Sequence, residues 1–94
     1  MFVIAFDLDT EQLLRHHPKG TRQGYVDIRL TVERFGFNRI QGSTYASDHE
    51  DHGRLFLALT ALRELEWFGP SLSNIRVFRM EQGTDFTEIM QSRR

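Results

Sequence analysis

The order of hydrophobic patterns along the 94-residue sequence predicts an α/β (α+β) fold of the ferredoxin-like type, with elements in the order βαββαβ. Three observations predict it: an opening strand that is apolar on both sides, two stretches with helical spacing of apolar residues, and strand-like segments after each helix. In this fold the sheet is antiparallel and both main helices cover one face. We predict a single domain over residues 1–94, because a chain of this length supports one core.

The opening strand is predicted over Phe2–Leu8, where residues of both parities are apolar. Val3 and Ala5 would then face away from the helices, on a side of the sheet that the fold leaves bare. A second copy of the chain is the simplest cover for this apolar surface, so we predict a homodimer. Asp9, with Gln12 three residues later, forms a helix-capping pattern after the strand.

Both main helices are predicted from apolar residues that recur every three or four positions. The first spans Thr21–Phe35 and is followed by Gly36, where a left-handed cap fits. The second helix follows a capping box that starts at Ser47, and this helix is predicted to end at about Trp67. A further capping pattern predicts a short C-terminal helix over Asp85–Met90.

The remaining strands are shorter and are separated by glycines. Phe37–Gln41 and Ser43–Ala46 meet at Gly42, which indicates a kink, a bulge or a tight turn. Asn74–Met80 completes the predicted sheet. This order leaves the helices on one face and supports the split βαβ arrangement.

Composition bounds the function. The net charge is −1, so a large electrostatic footprint for nucleic acid is not expected, although all but one of the 12 basic residues are arginine. The absence of cysteine excludes disulfides, thiolate zinc sites and cysteine nucleophiles. The apolar stretch before Asp7 is too short for a signal peptide or a membrane span. We therefore predict a cytoplasmic protein that does not enter membranes.

Asp7 is the first candidate for chemistry, because it stands at the end of a buried strand on the side of Val3 and Ala5. Two copies of Asp7 could approach across a two-fold axis in the dimer. Such a carboxylate pair either shares a proton or binds a hard cation such as Mg²⁺, which could polarise a phosphodiester. A solvated strand-end aspartate that caps a loop explains the residue equally well.

A polar row is the second candidate. If the strand continues through Gly42, the residues Arg39, Gln41, Ser43 and Tyr45 share one side. Arginine would then contact a phosphate, serine would donate a hydrogen bond and tyrosine would stack on a base. A solvent-facing edge strand gives the same alternation.

The histidines do not form a recognisable metal motif. His16 and His17 are adjacent, and His49 and His52 lie near the start of a helix. No carboxylate and histidine spacing completes the four ligands that a structural zinc site needs. We interpret them as surface or loop residues, one of which could act as an acid or base. Asp9 is interpreted as a helix cap, and no cofactor-binding set is predicted.

Five short stretches, distributed along nearly the whole chain, have the order and spacing of a known family. They are Ala5–Leu8, Gln41–Tyr45, Glu66–Phe68, Ile75–Phe78 and Asp85–Ile89. Together they resemble the virulence-associated protein D (VapD) family. The resemblance implies a ferredoxin-like homodimer with endoribonuclease activity. Some members of that family act as toxins beside a small antitoxin protein.

The VapD family in turn resembles CRISPR-associated protein 2, in which an Asp ends the first strand and an Arg-(Ile/Val)-Gln-x-Ser-x-aromatic run follows. Asp7 matches that aspartate, and the run is matched by Arg39, Ile40, Gln41, Ser43 and Tyr45. The relative usually has Phe where this chain has Tyr45, and its acidic extension is missing here.

The resemblance implies that Asp7 serves catalysis and metal binding, while Arg39, Ser43 and Tyr45 contact RNA. Two functions follow from the sequence. The first is an endoribonuclease, with the toxin of a toxin–antitoxin pair as a special case. The alternative is a non-catalytic dimeric interaction module or nucleic-acid scaffold, since some proteins related to CRISPR-associated protein 2 are scaffolds on DNA.

Overall fold

The sheet is four-stranded and antiparallel, with the strand order β2-β3-β1-β4 and the helices on one side. The structure is a computed structural model that describes residues 1–81. Its elements are β1 (Phe2–Leu8), α1 (Thr10–His16), α2 (Thr21–Glu33), β2 (Phe37–Gln41), β3 (Thr44–Ser47), α3 (His52–Arg63), α4 (Phe68–Ser71) and β4 (Leu72–Arg79). The predicted ferredoxin-like fold is confirmed, and the predicted helix over Asp85–Met90 lies outside the described residues.

β1 occupies the centre of the sheet because it pairs with β3 on one side and β4 on the other. Phe2, Ile4 and Phe6 alternate on the side that faces the helices, where they are buried in the main core. The helices contribute the remaining apolar residues of this core, among them Ile28 of α2 and Leu62 of α3. Burial on this scale holds α2 and α3 against the sheet.

The other side of β1, which we call the helix-free face, carries Val3, Ala5 and Asp7. Val3 has no exposed surface within a single chain, while Ala5 is half-buried. The homodimer was predicted because Val3 and Ala5 would be exposed on this face of a single chain. Val3 is already buried, so it gives no reason for a second chain to cover the face. The homodimer itself stays a prediction.

α2 ends at Glu33, two residues before the predicted end, and a tight turn leads to Gly36. Gly36 has a φ of 85°, as the predicted left-handed cap requires. A Cβ at this position would also lie 2.8 Å from His49 Nε2. Only glycine fits both the backbone conformation and the close approach of the histidine ring.

α3 begins later than predicted, at His52, because Asp51 rather than Ser47 is its cap. The Asp51 carboxylate accepts hydrogen bonds from the backbone N–H groups of Gly53 and Arg54. The Ser47 hydroxyl is used elsewhere, since it accepts from the Phe2 backbone N–H at 2.9 Å. α3 ends at Arg63, four residues before the predicted end at Trp67, and the short α4 follows over Phe68–Ser71.

Gly42 lies in the tight turn of a β-hairpin, with a φ of 51°. β2 and β3 are therefore two antiparallel strands and not one continuous strand. Their register pairs Arg39 with Tyr45 and Gln41 with Thr44, so β2 contains one extra residue between these two pairs. This bulge decides on which face of the sheet each predicted site residue lies. Within residues 1–81, no helix is long and apolar enough to cross a membrane.

Candidate active site

Asp7 lies on the helix-free face at the end of β1, as predicted. Its cross-strand neighbour is Asn74 of β4, whose side-chain amide donates a hydrogen bond of 3.0 Å to the Asp7 carboxylate. Asp7 is only half-buried, and the register of the two strands shifts directly after it. The carboxylate is thus held in place by an amide at a corner of the sheet that solvent reaches.

Arg39 lies on the opposite side of the sheet from Asp7. Arg39 pairs with Tyr45, and Tyr45 pairs with Ile4, whose side chain is in the helix-covered core. Directly paired residues of an antiparallel sheet project to the same face. Arg39 and Asp7 of one chain therefore cannot contact the same phosphate from one face of the sheet.

Tyr45 belongs to the core rather than to an open RNA-binding row. Its side chain is 1% exposed, and its ring stacks on Phe6 with a centroid distance of 5.9 Å. The ring is therefore not available to stack on a base, which corrects the predicted role. Burial raises the pKa of the Tyr45 phenol, although Arg39 and Arg29 act in the opposite direction. At neutral pH the hydroxyl is accordingly a neutral hydrogen-bond donor.

The hairpin and the bulge also separate the other members of the row. Gln41 pairs with Thr44, and Thr44 pairs with Ala5, which places Gln41 toward the helix-free face. Ser43 lies in the turn, and its backbone carbonyl accepts a hydrogen bond of 3.1 Å from the Phe6 N–H. The turn thus lies against the strand one residue before Asp7.

Arg39, Ser43 and Tyr45 nevertheless line one cavity of about 330 Å³ between α2 and the β2–β3 hairpin. We call it the arginine pocket, and its lining residues are Tyr25, Val26, Arg29, Arg39, Gly42, Ser43 and Tyr45. Arg39 donates from Nε to the Gly42 carbonyl at 3.0 Å. Arg29 forms an exposed ion pair with Glu33 at 3.4 Å.

Sequence reasoning missed Arg29 and Tyr25 as site residues. Tyr25 fits the apolar spacing that predicts α2, which gives it the pattern of a core residue, and Arg29 follows it one turn later. Residues four apart lie on the same side of a helix, so their spacing was the available signal. Without the hairpin register, however, nothing in the sequence placed this side of α2 next to Arg39.

A second and larger cavity, of about 600 Å³, lies on the other side of α2. We call it the histidine cavity, and it is lined by His16, His17, Pro18, Lys19, Gln23, Asp27, Glu64, Leu65, Glu66 and Trp67. His17 is buried, accepts from the Lys19 backbone N–H at Nδ1, and contacts Asp27 Oδ2 through Nε2 at 2.8 Å. His17 lies in the loop after α1, which is one of the two predicted alternatives, but it is not a surface residue, because its ring packs edge-on against Trp67.

The contacts of His49 and His52 are structural and do not indicate a metal site. His49 Nε2 lies 2.9 Å from the Phe35 carbonyl, and the ring of His52 packs against Phe2. Among residues 1–81, no three side chains of the metal-ligating types come together. Asp9 caps α1 by accepting from two backbone N–H groups, as predicted.

Fold and site define a small ferredoxin-like protein with a strand-end carboxylate and an arginine-lined pocket around one corner of its sheet. No family model matches the chain. It is 47% identical over 92 residues to a Neisseria gonorrhoeae protein named endoribonuclease VapD homolog, and 44% identical over 92 residues to endoribonuclease VapD of Haemophilus influenzae. Both alignments cover 98% of this chain and 100% of the relative. Endoribonuclease VapD of Helicobacter pylori is 35% identical over 94 residues. The chain belongs to the VapD family.

Proposed function

We propose that this protein is an endoribonuclease that cleaves phosphodiester bonds within RNA. The observation that carries the proposal is the identity of 33–47% with proteins named endoribonuclease VapD over nearly the whole chain. The strand-end carboxylate and the arginine pocket provide groups suited to this chemistry. Carboxylates can hold protons or cations, and guanidinium groups bind phosphate oxygens.

Asp7 is the proposed centre of cleavage. Its carboxylate, oriented by the amide of Asn74, would accept a proton or hold Mg²⁺ beside the bond that is cut. One chain supplies too few ligands for a closed metal site within residues 1–81. That suits Mg²⁺, which keeps water molecules and binds through one or two carboxylates plus substrate phosphates. When bound, Mg²⁺ would neutralise the charge that develops on the phosphate oxygens.

The remaining proposals concern the setting of this activity. A homodimer would bring two copies of Asp7 close together across the two-fold axis, and light scattering at micromolar concentration would distinguish it from a monomer of 11.1 kDa. We also propose a cytoplasmic location and a small antitoxin protein as partner. The antitoxin rests on the resemblance to the family, and the location rests on the sequence, which has no cysteine and only a short apolar stretch at its start.

Asp7→Asn tests the proposed function. The substitution keeps the size of the side chain and the chance to hydrogen-bond Asn74, but it removes the charge. We expect RNA cleavage to fall about a hundredfold or more, as for loss of an acid–base or metal-binding group. Cleavage of a labelled RNA is measured with Mg²⁺ and with EDTA, and thermal unfolding verifies that the variant is folded.

Asp9→Asn is the matched control, because it removes the same charge two residues away. Asparagine caps helices as well as aspartate does, so α1 should stay intact and cleavage unchanged. If both variants cleave RNA at the wild-type rate, Asp7 is a structural strand-end residue. If the wild-type protein binds RNA without cutting it under either condition, the non-catalytic alternative replaces the proposal.

A further inference from the structure

We infer that the arginine pocket binds a backbone phosphate of the RNA strand next to the bond that is cut, with Arg29 and Arg39 as its two anchors. That the strand is RNA rests on the proposed function. The pocket as an anion site rests on its own geometry.

Several hydrogen-bond donors in the arginine pocket have no acceptor among residues 1–81. Nε of Arg39 donates to the Gly42 carbonyl, which orients the guanidinium group at the mouth of the cavity. Its terminal nitrogens make no hydrogen bond to residues 1–81, and neither does the hydroxyl of Ser43. The planar fork of an arginine held in this way matches the oxygens of a phosphate.

Arg29 adds a second positive charge from α2. Glu33 is its acidic partner at 3.4 Å, in an ion pair whose two side chains are 42% and 36% exposed. Exposed pairs of this kind contribute little, so a phosphate can compete for the guanidinium group. Arg29, Arg39 and Tyr45 all line the same cavity.

The pocket wall is amphipathic, as a nucleotide requires. Tyr25 and Val26 supply apolar surface from α2, and the hydroxyl of Tyr45 is a neutral donor at physiological pH. A free anion would need only the charges. The apolar side chains beside the arginines favour a nucleotide within a strand, whose sugar or base can lie against them.

The position of the turn connects the pocket with Asp7. The Ser43 carbonyl accepts from the Phe6 N–H, so the pocket wall at Ser43 adjoins β1 one residue before Asp7. Asp7 is on the other face of the sheet, and a strand that reaches both must pass around the Gly42–Ser43 turn. The pocket therefore holds a phosphate near the cleaved bond but not the cleaved phosphate itself.

The test compares two double variants with the same change in charge. Arg29→Gln with Arg39→Gln removes both anchors, while Arg15→Gln with Arg22→Gln removes two exposed arginines outside the arginine pocket. Binding is measured by fluorescence anisotropy with a labelled single-stranded 2′-O-methyl oligoribonucleotide, which resists cleavage. The salt dependence of binding is measured for each protein, and thermal unfolding verifies folding.

We expect the pocket variant to bind about tenfold more weakly and its salt slope to fall by about 0.7, since each phosphate neutralised on a single strand contributes about 0.7 and the pocket holds one phosphate. The control should stay within about twofold of wild type in affinity. With cleavable RNA, the pocket variant should raise KM more than it lowers kcat. Equal losses in the two double variants, or no binding by the wild-type protein, would overturn the inference. Loss of affinity in a protein that never cleaves RNA would support the pocket and refute the proposed function.

Discussion

The two cavities that flank α2 both have polar and charged side chains in their walls, but these side chains are bonded differently. In the histidine cavity, the Asp27 carboxylate bonds to both His17 and Gln23, and the Lys19 backbone N–H donates to His17. In the arginine pocket, the guanidinium groups contact only a turn carbonyl and one exposed glutamate among residues 1–81. Polar groups that satisfy one another stabilise the fold, whereas donors that lack protein acceptors can bind a ligand.

His17→Ala should give the largest loss of stability if the histidine cavity is structural. The substitution removes the hydrogen bond to Asp27, the hydrogen bond from the Lys19 N–H and the packing of the ring on Trp67. We expect unfolding to become easier by about 2–3 kcal/mol, since buried polar groups are left unpaired. Urea denaturation measures this, with the exposed His16→Ala as the matched control. A similar small effect in both variants would contradict the comparison.

The pH dependence of stability should show a smaller effect from the same cluster. The hydrogen bond with His17, and then that with Gln23, holds the pKa of Asp27 below its ordinary value of 3.8. A lowered folded-state pKa adds stability that is complete above the unfolded value and disappears as the pH falls through the folded value. Asp27→Asn should therefore flatten the decline in stability below about pH 4.

Urea denaturation between pH 5 and pH 2.5 measures that decline, and Glu50→Gln serves as its comparison. The pKa of Glu50 is also lowered, by the amino-terminal group and Arg79, but its side chain is 46% exposed. Solvent screens such pairs, so the curve of this variant should change less. If Glu50→Gln flattens the curve more than Asp27→Asn, the His17–Asp27 pair is not the main acid-sensitive contact.

Tyr45→Phe should have the smallest effect on stability. The ring keeps its place against Phe6, and the hydroxyl has no hydrogen bond to residues 1–81. We expect the free energy of unfolding to change by less than about 0.5 kcal/mol. Thermal and urea unfolding of the two proteins check this. A loss of 2 kcal/mol or more, of the order of an unpaired buried group, would mean that the hydroxyl supports the core and that the arginine pocket has fewer donors than described.

The sequence predicted the fold well because hydrophobic periodicity reports which side of an element is buried. The parity of β1 correctly separated Phe6 from Asp7, and Gly36 correctly marked the end of a helix. The boundaries of α3 were less accurate, because Ser47 and Asp51 both resemble caps and only tertiary contacts decide between them.

The candidate site was predicted only in part. Asp7 needed nothing beyond strand alternation, whereas the side of Arg39 depended on a hairpin register that alternation cannot reveal. The burial of His17 depends on Asp27 and Trp67, which are distant from each other in the sequence. Arg29 reaches the arginine pocket through a long side chain from another element, and no local pattern encodes such a meeting.

The bulge in β2 has a consequence for how the hairpin can vary in length. Ile40 is the extra residue between the pairs Arg39–Tyr45 and Gln41–Thr44, and its side chain is 37% exposed. Its removal would turn the bulge into a regular ladder and leave Arg39 opposite Tyr45. A change in length at Ile40 can thus be accommodated without exchanging the side chain that faces α2. Ile40 is a natural position for engineering the length of β2, whereas the Gly42–Ser43 turn has to be kept because its Gly42 carbonyl orients Arg39.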